Sequence, residues 1–216
     1  MSVVSAWLTG SLRAADAGYQ IVERGQDFAV FRKATTTIDA GGNTVRLTNQ
    51  FTLLENCLNY LDNGQWTESL DVIEPSPGGA IAQHGPNTAI FSSDLNSQSV
   101  FDIQTSDGKR LRGGIRAIQL TDVAGGRTSV LATVKQSAPG ELLPPDSVVY
   151  SSAFNGLQAD VVLTWKHNSF SQDLVIREQP RLLEGMSPNT TRIEVLTELT
   201  EATTAAIRSL LNPVAS

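Results

Sequence analysis

The chain has 216 residues, of which 40% are hydrophobic and 18% are charged, and its 16 basic and 22 acidic residues give a formal net charge of −6. The charged fraction is below the roughly 25% of an average globular protein. No run of Lys and Arg is longer than two residues, and the densest five-residue windows, within residues 108–113, contain three basic residues. The sequence therefore argues against nucleic-acid binding and against charge-driven attachment to an anionic membrane. The length suits a single β-sandwich or barrel.

The first 17 residues share features with secretory signals. Residues 3–12 are mostly apolar, and Ala15-Asp16-Ala17 has the small-x-small pattern that signal peptidase accepts. No basic residue precedes the apolar run, and Gly10 interrupts it. We expect residues 1–17 to be a partial export signal, with a disordered or helical arm as the alternative. No segment approaches the roughly 20 apolar residues of a membrane-spanning helix.

Strand patterns separated by glycine-containing turns begin after residue 18. Residues 28–38 and 44–54 are two such runs, and Asp39-Ala40-Gly41-Gly42-Asn43 lies between them. Period-two alternation predicts one face in the core and one face in water. In the second run the apolar side chains that share a face are Val45, Leu47, Phe51 and Leu53.

Further hairpins are predicted along the middle of the chain. Asn63-Gly64 and Asp107-Gly108 are turn dipeptides, and they predict hairpins over residues 59–68 and 100–118. Short strands are predicted at 80–82 and 88–91, and a longer one at 128–136. Residues 139–145 read as a loop, because Pro144 and Pro145 are incompatible with a central strand.

The segment 148–178 gives the strongest strand signal. Three apolar runs are joined by Asn155-Gly156 and by residues 166–169, which predicts consecutive antiparallel strands. Two rows of side chains each share a face. The first row is Ala159, Val161, Leu163 and Trp165, and the second is Phe170, Gln172, Leu174 and Ile176.

These elements predict an antiparallel β-sandwich domain over residues 18–199, with about a dozen short strands. Residues 192–199 alternate once more. From Thr200 to Leu211 the apolar residues recur at helical spacing, and Asn212-Pro213 ends the pattern. We expect a short helical or disordered tail over residues 200–216.

Metal and thiol chemistry have little support in the sequence. Cys57 is the only cysteine, so a disulfide within the chain is excluded, and its apolar neighbours predict a buried small side chain. His84 and His167 sit beside turns and read as surface loop residues. The segment 94–98 spaces three oxygen ligands as a calcium loop does, but Ser99 stands where such a loop has glycine, which favours a polar turn. We expect no metal and no cofactor.

No catalytic motif is recognisable. The nucleophile elbow, the phosphate-binding loop and the dinucleotide fingerprint are all missing from the sequence. A glycosidase needs two carboxyl groups roughly 5–10 Å apart, and sequence alone gives no such separation. Solvent-facing carboxylates are commoner in strands, so hydrolysis is the minor alternative. The carboxylates in or beside predicted strands are Glu55, Glu68, Asp71, Glu74, Glu141, Asp160 and Asp173.

Two tryptophans allow a second type of site. Trp66 follows the Asn63-Gly64 turn and Trp165 ends a strand. An exposed tryptophan could stack on a sugar ring through its apolar face. Packing in the core or against a hairpin is the favoured interpretation for both.

Several of these motifs resemble a β module near the start of very large secreted bacterial proteins, the recombination-hotspot (Rhs) or YD-repeat proteins and their wall-associated relatives. In that module an aromatic strand leads into a Phe-x-Gly turn, and a later strand carries an acidic or amide pair before an aliphatic run. The resemblance covers about Tyr19 to Leu199. The matching segments are Trp66–Ser69, Gly78–Ala80, Phe91, Asp107–Arg112, Val149-Tyr150, Ala153-Phe154, Gly156-Leu157, Ala159-Asp160, Trp165 and Gln172–Ile176.

The resemblance implies export, a place in the extracellular space or on the cell surface, and a non-catalytic β-rich module. It transfers no catalytic residue. Members of that family usually run on into repeats or further domains, so we expect this chain to be a stand-alone relative, part of a split gene or a remnant.

The predicted function is a non-enzymatic structural or binding module, with a protein or a glycan at the cell surface as partner. A carbohydrate-binding or carbohydrate-active domain is the alternative, since fold alone does not choose between them. Binding residues and oligomeric state stay open.

Overall fold

Antiparallel strands account for all regular secondary structure in residues 18–203, the part of the chain that the computed structural model describes. The prediction of an all-β, antiparallel fold is therefore confirmed. The predicted signal over residues 1–17 lies outside the described residues. None of the described residues forms a helix that is long and apolar enough to cross a membrane.

The described residues group into two compact units. The first contains the residues up to Leu70 together with His84–Pro86. The second contains Asp71–Gln83 and the described residues from Asn87 onwards. The predicted boundary of a β domain at residue 199 stays a prediction.

The first unit contains a three-stranded sheet and a separate hairpin. The sheet has the order β1 (Gln20–Gly25), β2 (Phe28–Ile38) and β3 (Thr44–Leu54). The hairpin pairs β4 (Asn59–Asp62) with β5 (Gln65–Glu68). The bounds of β2 and β3 are those that the alternation predicts, and Asp39 closes the turn between them by accepting the backbone N–H of Asn43 at 2.8 Å.

The core of this unit covers only the base of the β2–β3 hairpin. Ala29, Phe31 and Leu58 are buried, and the ring of Phe31 stacks on that of Phe51 with centroids 4.9 Å apart. Beyond these residues most side chains of both strands are exposed. Cys57 is half-buried in the turn after β3, with a φ of 59°. The prediction of a buried cysteine is wrong, because the apolar run ends in a turn.

The second unit contains a large sheet that curls into a half-barrel. Its strands follow the order β14-β11-β10-β9-β8-β7-β6, and β17 pairs with β10 off this path. Most of its connections are hairpins between neighbours in sequence. The bounds are β6 (Glu74–Ser76), β7 (Gly79–Ala82), β8 (Thr88–Ser92), β9 (Phe101–Gln104), β10 (Arg110–Asp122), β11 (Arg127–Val134), β14 (Phe154–Asn155) and β17 (Thr191–Ala202).

A four-stranded sheet completes the second unit. Its order is β12 (Gly140–Leu143), β13 (Ser147–Tyr150), β15 (Ala159–Lys166) and β16 (Ser169–Ile176). The prediction of a loop over 139–145 is wrong for β12. The two prolines exclude a central strand, but an edge strand tolerates proline. β12 is the edge strand of this sheet, and it ends before Pro144.

One apolar core is shared by the two sheets of the second unit. Trp165 is 4% exposed, which confirms the prediction that it packs in the core. The predicted row on its strand is buried along its whole length, because alternate residues of β15 point to the same side. The members of that row are Ala159, Val161, Leu163 and Trp165.

The connection between β13 and β15 differs from the predicted hairpin. β13 and β15 do pair antiparallel, as predicted, with Ser147 opposite Thr164. The residues that connect them, however, do not form a tight hairpin turn. The residues between them cross to the large sheet, where Phe154 is buried and pairs with Val134. Gly156 keeps the predicted positive φ, at 96°. Burial of Phe154 thus overrides the turn signal.

The C-terminal strand β17 is longer than its sequence pattern predicts. Alternation ends at residue 199, but β17 continues to Ala202 because Leu111 of β10 pairs with that residue. The prediction of a helix starting at Thr200 is therefore wrong for residues 200–202. The rest of the predicted helix, 204–211, lies outside the described residues.

Candidate binding edge

β17 is an edge strand of the large sheet. It pairs with β10 from Thr191, opposite Asp122, to Ala202, opposite Leu111. Among residues 18–203 no other strand pairs with it. An edge strand presents a row of backbone N–H and C=O groups to which another strand can hydrogen-bond. We call β17 (Thr191–Ala202) the candidate binding edge.

Apolar side chains of the candidate binding edge lie on the core-facing side of the sheet but are partly exposed to solvent. Ile193 lies opposite Leu120, and Val195 lies opposite Ile118. Residues opposite each other in an antiparallel pair share a face of the sheet, so all four point to the core side. The two residues of β10 are fully buried, whereas Ile193 is 42% and Val195 is 36% exposed. The apolar face therefore extends into solvent at this edge.

Glycine lets β17 approach β10 closely. Leu199 lies opposite Gly113, and a Cβ atom at position 113 would overlap the carbonyl oxygen of Glu198. The same Cβ would come 3.0 Å from Cδ2 of Leu199. A side chain at position 113 would therefore push β17 away from the sheet.

Charged side chains on the opposite face are held by hydrogen bonds. Gln119 Nε2 and Thr121 Oγ1 donate to Glu194 Oε2 at 2.6 and 2.7 Å. These two hydrogen bonds lower the pKa of Glu194, and the hydrogen bond from Gln119 has the largest effect. Arg116 Nε donates to Glu198 Oε2 at 2.7 Å. Glu194 and Glu198 are thus held in position by side chains of β10, and the lowered pKa of Glu194 favours its ionised form.

The candidate binding edge carries charged residues and an irregularity, but it lacks three other features that usually prevent strand addition, namely shortness, proline and lysine. Its twelve residues contain neither proline nor lysine, the residue types with which natural edges are blunted. By contrast, β6 at the far end of the same sheet has three residues, one of which is Pro75. Length and composition therefore distinguish β17 from the other edge of its sheet.

The seven predicted candidate carboxylates lie on five strands and in two connecting segments. Glu68 on β5 is 3.7 Å from the guanidinium of Arg24. Asp160 on β15 accepts hydrogen bonds from Arg177, and Asp173 on β16 accepts one from Ser171 at 3.1 Å. The remaining four are Glu55 after β3, Asp71 before β6, Glu74 on β6 and Glu141 on β12.

Asp71 takes part in a polar cluster that sequence reasoning missed. Its Oδ1 lies 2.7 Å from Nδ1 of His167 and accepts the backbone N–H of His167 at 2.8 Å. Lys166 Nζ lies 3.5 Å from Asp71 and 2.5 Å from Asp146. The His167 side chain is only 12% exposed, so the prediction of a surface histidine is correct for the turn and wrong for the burial.

The pKa of Asp71 is the outcome of opposing effects. Burial raises the pKa, but hydrogen bonds from His167 and favourable electrostatic interactions with His167 and Lys166 outweigh it, and the net shift is downward. The pKa is also lowered for seven other described carboxylates: Asp39, Asp94, Asp102, Asp107, Asp122, Asp160 and Glu194. The general acid of a glycosidase needs a raised pKa. These groups are suited to ion pairing instead.

The segment that resembles a calcium loop forms a turn. Asp94 Oδ1 accepts the backbone N–H of Asn96 at 2.8 Å, and both of its carboxylate oxygens accept that of Ala138 at 3.2 Å. The Asp94 carboxylate thus serves as an acceptor for backbone donors. Within the described residues, no group of three or more His, Cys, Asp or Glu side chains is placed to hold a metal ion.

The first unit offers a small aromatic surface. Trp66 on β5 is 37% exposed and lines a surface groove with residues 21–24 of β1. Glu23 and Arg24 are among the residues that line this groove, and the guanidinium of Arg24 also contacts Asn59 and Glu68. The groove therefore combines an apolar ring with polar groups at its rim. His84, the other candidate histidine, lies partly buried in a bend of the same unit.

No protein-family model matches the chain, and neither a curated protein nor a solved structure is significantly similar to it. The resemblance to the Rhs or YD-repeat module stays a prediction. Function must therefore be argued from the geometry of the chain itself.

Proposed function

We propose that the chain is a non-enzymatic binding module of a secreted or cell-surface bacterial protein, and that it joins a protein partner by strand addition at the candidate binding edge. The observation that carries the proposal is the open edge of β17 with its partly exposed apolar row. In strand addition, backbone hydrogen bonds supply affinity and alternate side chains supply specificity. Ile193 and Val195 would supply such side-chain contacts.

The distribution of polar groups supports binding over catalysis. The pKa values of Asp71, Asp102 and Asp160 are lowered, and these carboxylates are engaged by His, Lys, Arg or backbone donors. We further propose that the two sheets of the second unit form a β-sandwich, since both line one core. A rigid sandwich with one long open edge is a suitable scaffold for strand addition.

The experiment is a selection of strand-forming peptides. A displayed library of peptides with alternating apolar and polar residues is selected against the purified chain, and enriched peptides are titrated by calorimetry. Strand addition predicts binding in roughly the micromolar range. It also predicts that the peptides slow amide exchange in β17. A library that yields no binder would refute the proposal.

Two matched variants localise the binding. Val195→Lys places a charge on the core-facing row of the edge, a device that natural edges use against pairing. Ile90→Lys makes the same change at an exposed apolar residue of β8, which is paired on both sides. Peptide binding should be lost in the first variant and kept in the second. Equal binding to both variants would show that the peptides do not bind at β17.

A second candidate function is carbohydrate binding, which the exposed ring of Trp66 favours. A sugar would stack on the indole while Glu23 and Arg24 hydrogen-bond its hydroxyl groups. A glycan array with the purified chain tests this proposal. Reproducible binding that Trp66→Ala abolishes would support it. Binding that survives this substitution would place the sugar elsewhere.

A further inference from the structure

We propose that the strand that β17 accepts is β17 of a second copy, so that two chains form a symmetric dimer through one continuous sheet. The inference rests on the proposed function, because it names the partner of the candidate binding edge. Its basis is the charge pattern of β17, in which one basic residue, Arg192, is followed by the acidic residues Glu194, Glu198 and Glu201. When β17 pairs antiparallel with β17 of a second copy, the first residues of one strand lie opposite the last residues of the other. The basic residue can then lie opposite an acidic residue.

Symmetry restricts the registers to be compared. Two antiparallel edge strands related by a two-fold axis have that axis normal to the sheet, so residues on the same face lie opposite each other. The residue on the axis then faces its own copy. For a strand of this length the central choices are Val195, Leu196 and Thr197, because an axis at the equally central Glu198 would place two carboxylates directly opposite each other.

Charge complementarity selects one of the three registers. With Leu196 on the axis, Glu194 lies opposite Glu198 of the other copy, and the two carboxylates repel each other twice. With Thr197 on the axis, Ile193 lies opposite Glu201. With Val195 on the axis, Arg192 lies opposite Glu198, and symmetry makes this ion pair twice. Opposite charges in direct cross-strand positions are favourable and like charges are not.

The geometry of β17 agrees with the Val195 register. This register uses Thr191–Leu199. The ladder with β10 has two irregularities: Thr200 of β17 is skipped beyond this segment, whereas the irregularity within the segment skips Arg116 of β10 and no residue of β17. The core-facing row then brings Val195 against Val195 and Ile193 against Thr197. The Glu198 carboxylate accepts a hydrogen bond from Arg116 but is still mostly exposed. It therefore has room for the guanidinium of Arg192 from the other copy.

Sedimentation equilibrium of the full chain gives the first test. We expect a dimer, and we expect Arg192→Glu to raise its dissociation constant by roughly tenfold or more, because the introduced carboxylate would face Glu198 of the other copy. Adding Glu198→Arg to this variant should restore the dimer. The control Arg46→Glu makes the same charge change at an exposed residue of β3 and should leave the dimer unchanged.

Disulfide trapping gives the second test and reports the register. In a Cys57→Ser background, Val195→Cys places two thiols on the axis, within the Cα separation that a disulfide bridges. Air oxidation should therefore link two Val195→Cys chains and leave Thr197→Cys and Ile90→Cys chains unlinked. Preferential linking through Thr197→Cys would overturn the register.

The result that overturns the dimer is a monomer at all concentrations up to about 100 μM, which would mean an affinity weaker than about −5.5 kcal/mol. If the selected peptides still bind at β17 in that case, the proposal of strand addition stands and only the identity of the partner is wrong. If neither peptides nor a second copy bind, both proposals fail.

Discussion

The carboxylate of Asp160, only 2% exposed, accepts hydrogen bonds from Nε and Nη2 of the mostly exposed Arg177 side chain. A further hydrogen bond comes from the backbone N–H of Ser152 at 2.7 Å. The hydrogen bonds of Arg177 are the main cause of the lowered pKa of Asp160. One end of β15 is thus held by a buried anion whose partner lies at the surface.

We predict that Arg177→Met destabilises the fold in a pH-dependent way. A lowered folded-state pKa gives stability that is present above the unfolded value, near 3.8, and that is lost as pH falls through the folded pKa. The difference in unfolding free energy between wild type and variant should be largest at neutral pH and should shrink below about pH 4. Urea unfolding over a pH series measures it. A difference that does not change with pH would contradict the role of the ion pair.

For Asp71→Ala we predict a loss of roughly 1.5–3 kcal/mol in unfolding free energy at pH 7, the range for hydrogen bonds to charged groups. The variant removes the acceptor of both the ring and the backbone N–H of His167. Asp173→Ala, on the exposed face of β16, is the control and should change stability by less than about 0.5 kcal/mol. Equal losses would mean that the Asp71 contact contributes nothing specific.

Trp165→Ala should cost about 3–5 kcal/mol, because it removes a buried ring and leaves a cavity. Trp66→Ala should cost less than about 1 kcal/mol, because a partly exposed ring leaves no closed cavity. Chemical denaturation of both variants, with the slope compared to wild type, measures the contrast. A loss below about 1 kcal/mol at Trp165 would contradict its assignment to the core.

Gly113→Ala should destabilise the chain by about 1–3 kcal/mol, the usual range for overpacking. The new Cβ would overlap the carbonyl of Glu198, so the damage should be concentrated in β17. Hydrogen exchange should therefore accelerate in β17 more than in β7 and β8. Gly41→Ala is the control, since its Cβ would meet only side-chain atoms of its own exposed turn, Asn43 Nδ2 at 3.2 Å and Asp39 Oδ1 at 3.3 Å, and no backbone of another strand. Uniform acceleration across the sheet would contradict the close approach at Gly113.

Local patterns were sufficient for the strands whose neighbours follow in sequence. The alternation of residues 44–54 gave the bounds of β3, and the row that ends in Trp165 gave the buried face of β15. Both signals depend on the period-two alternation of apolar and polar residues, which a sequence displays directly. In β15 burial follows this alternation, whereas in β3 the predicted core face is largely exposed, with Leu47 and Phe51 both in contact with solvent. The same reasoning did not predict the strand at Phe154. That strand has only two residues and crosses to another sheet, so it is too short to show an alternating pattern.

The candidate site was beyond sequence reasoning for a different reason. Alternation predicted a strand over residues 192–199, but an edge strand and a central strand give the same pattern when one face is polar. Only the pairing with β10 shows that the other side of β17 is open. The contact between Asp71 and His167 is equally hidden, because no local signal relates two residues so far apart in the chain.

The position of β10 has a consequence for the order of folding. β9 and β11 pair with successive parts of one of its edges and are its neighbours in sequence, so they can join it early. The other edge waits for β17, because Leu111 must find Ala202 and Asp122 must find Thr191. Pairing between distant residues requires closure of a long loop and is slow. During synthesis, Ile118 and Leu120 therefore lie beside an open edge until the last strand arrives. The yield of correctly folded chain should fall when many nascent chains are crowded together.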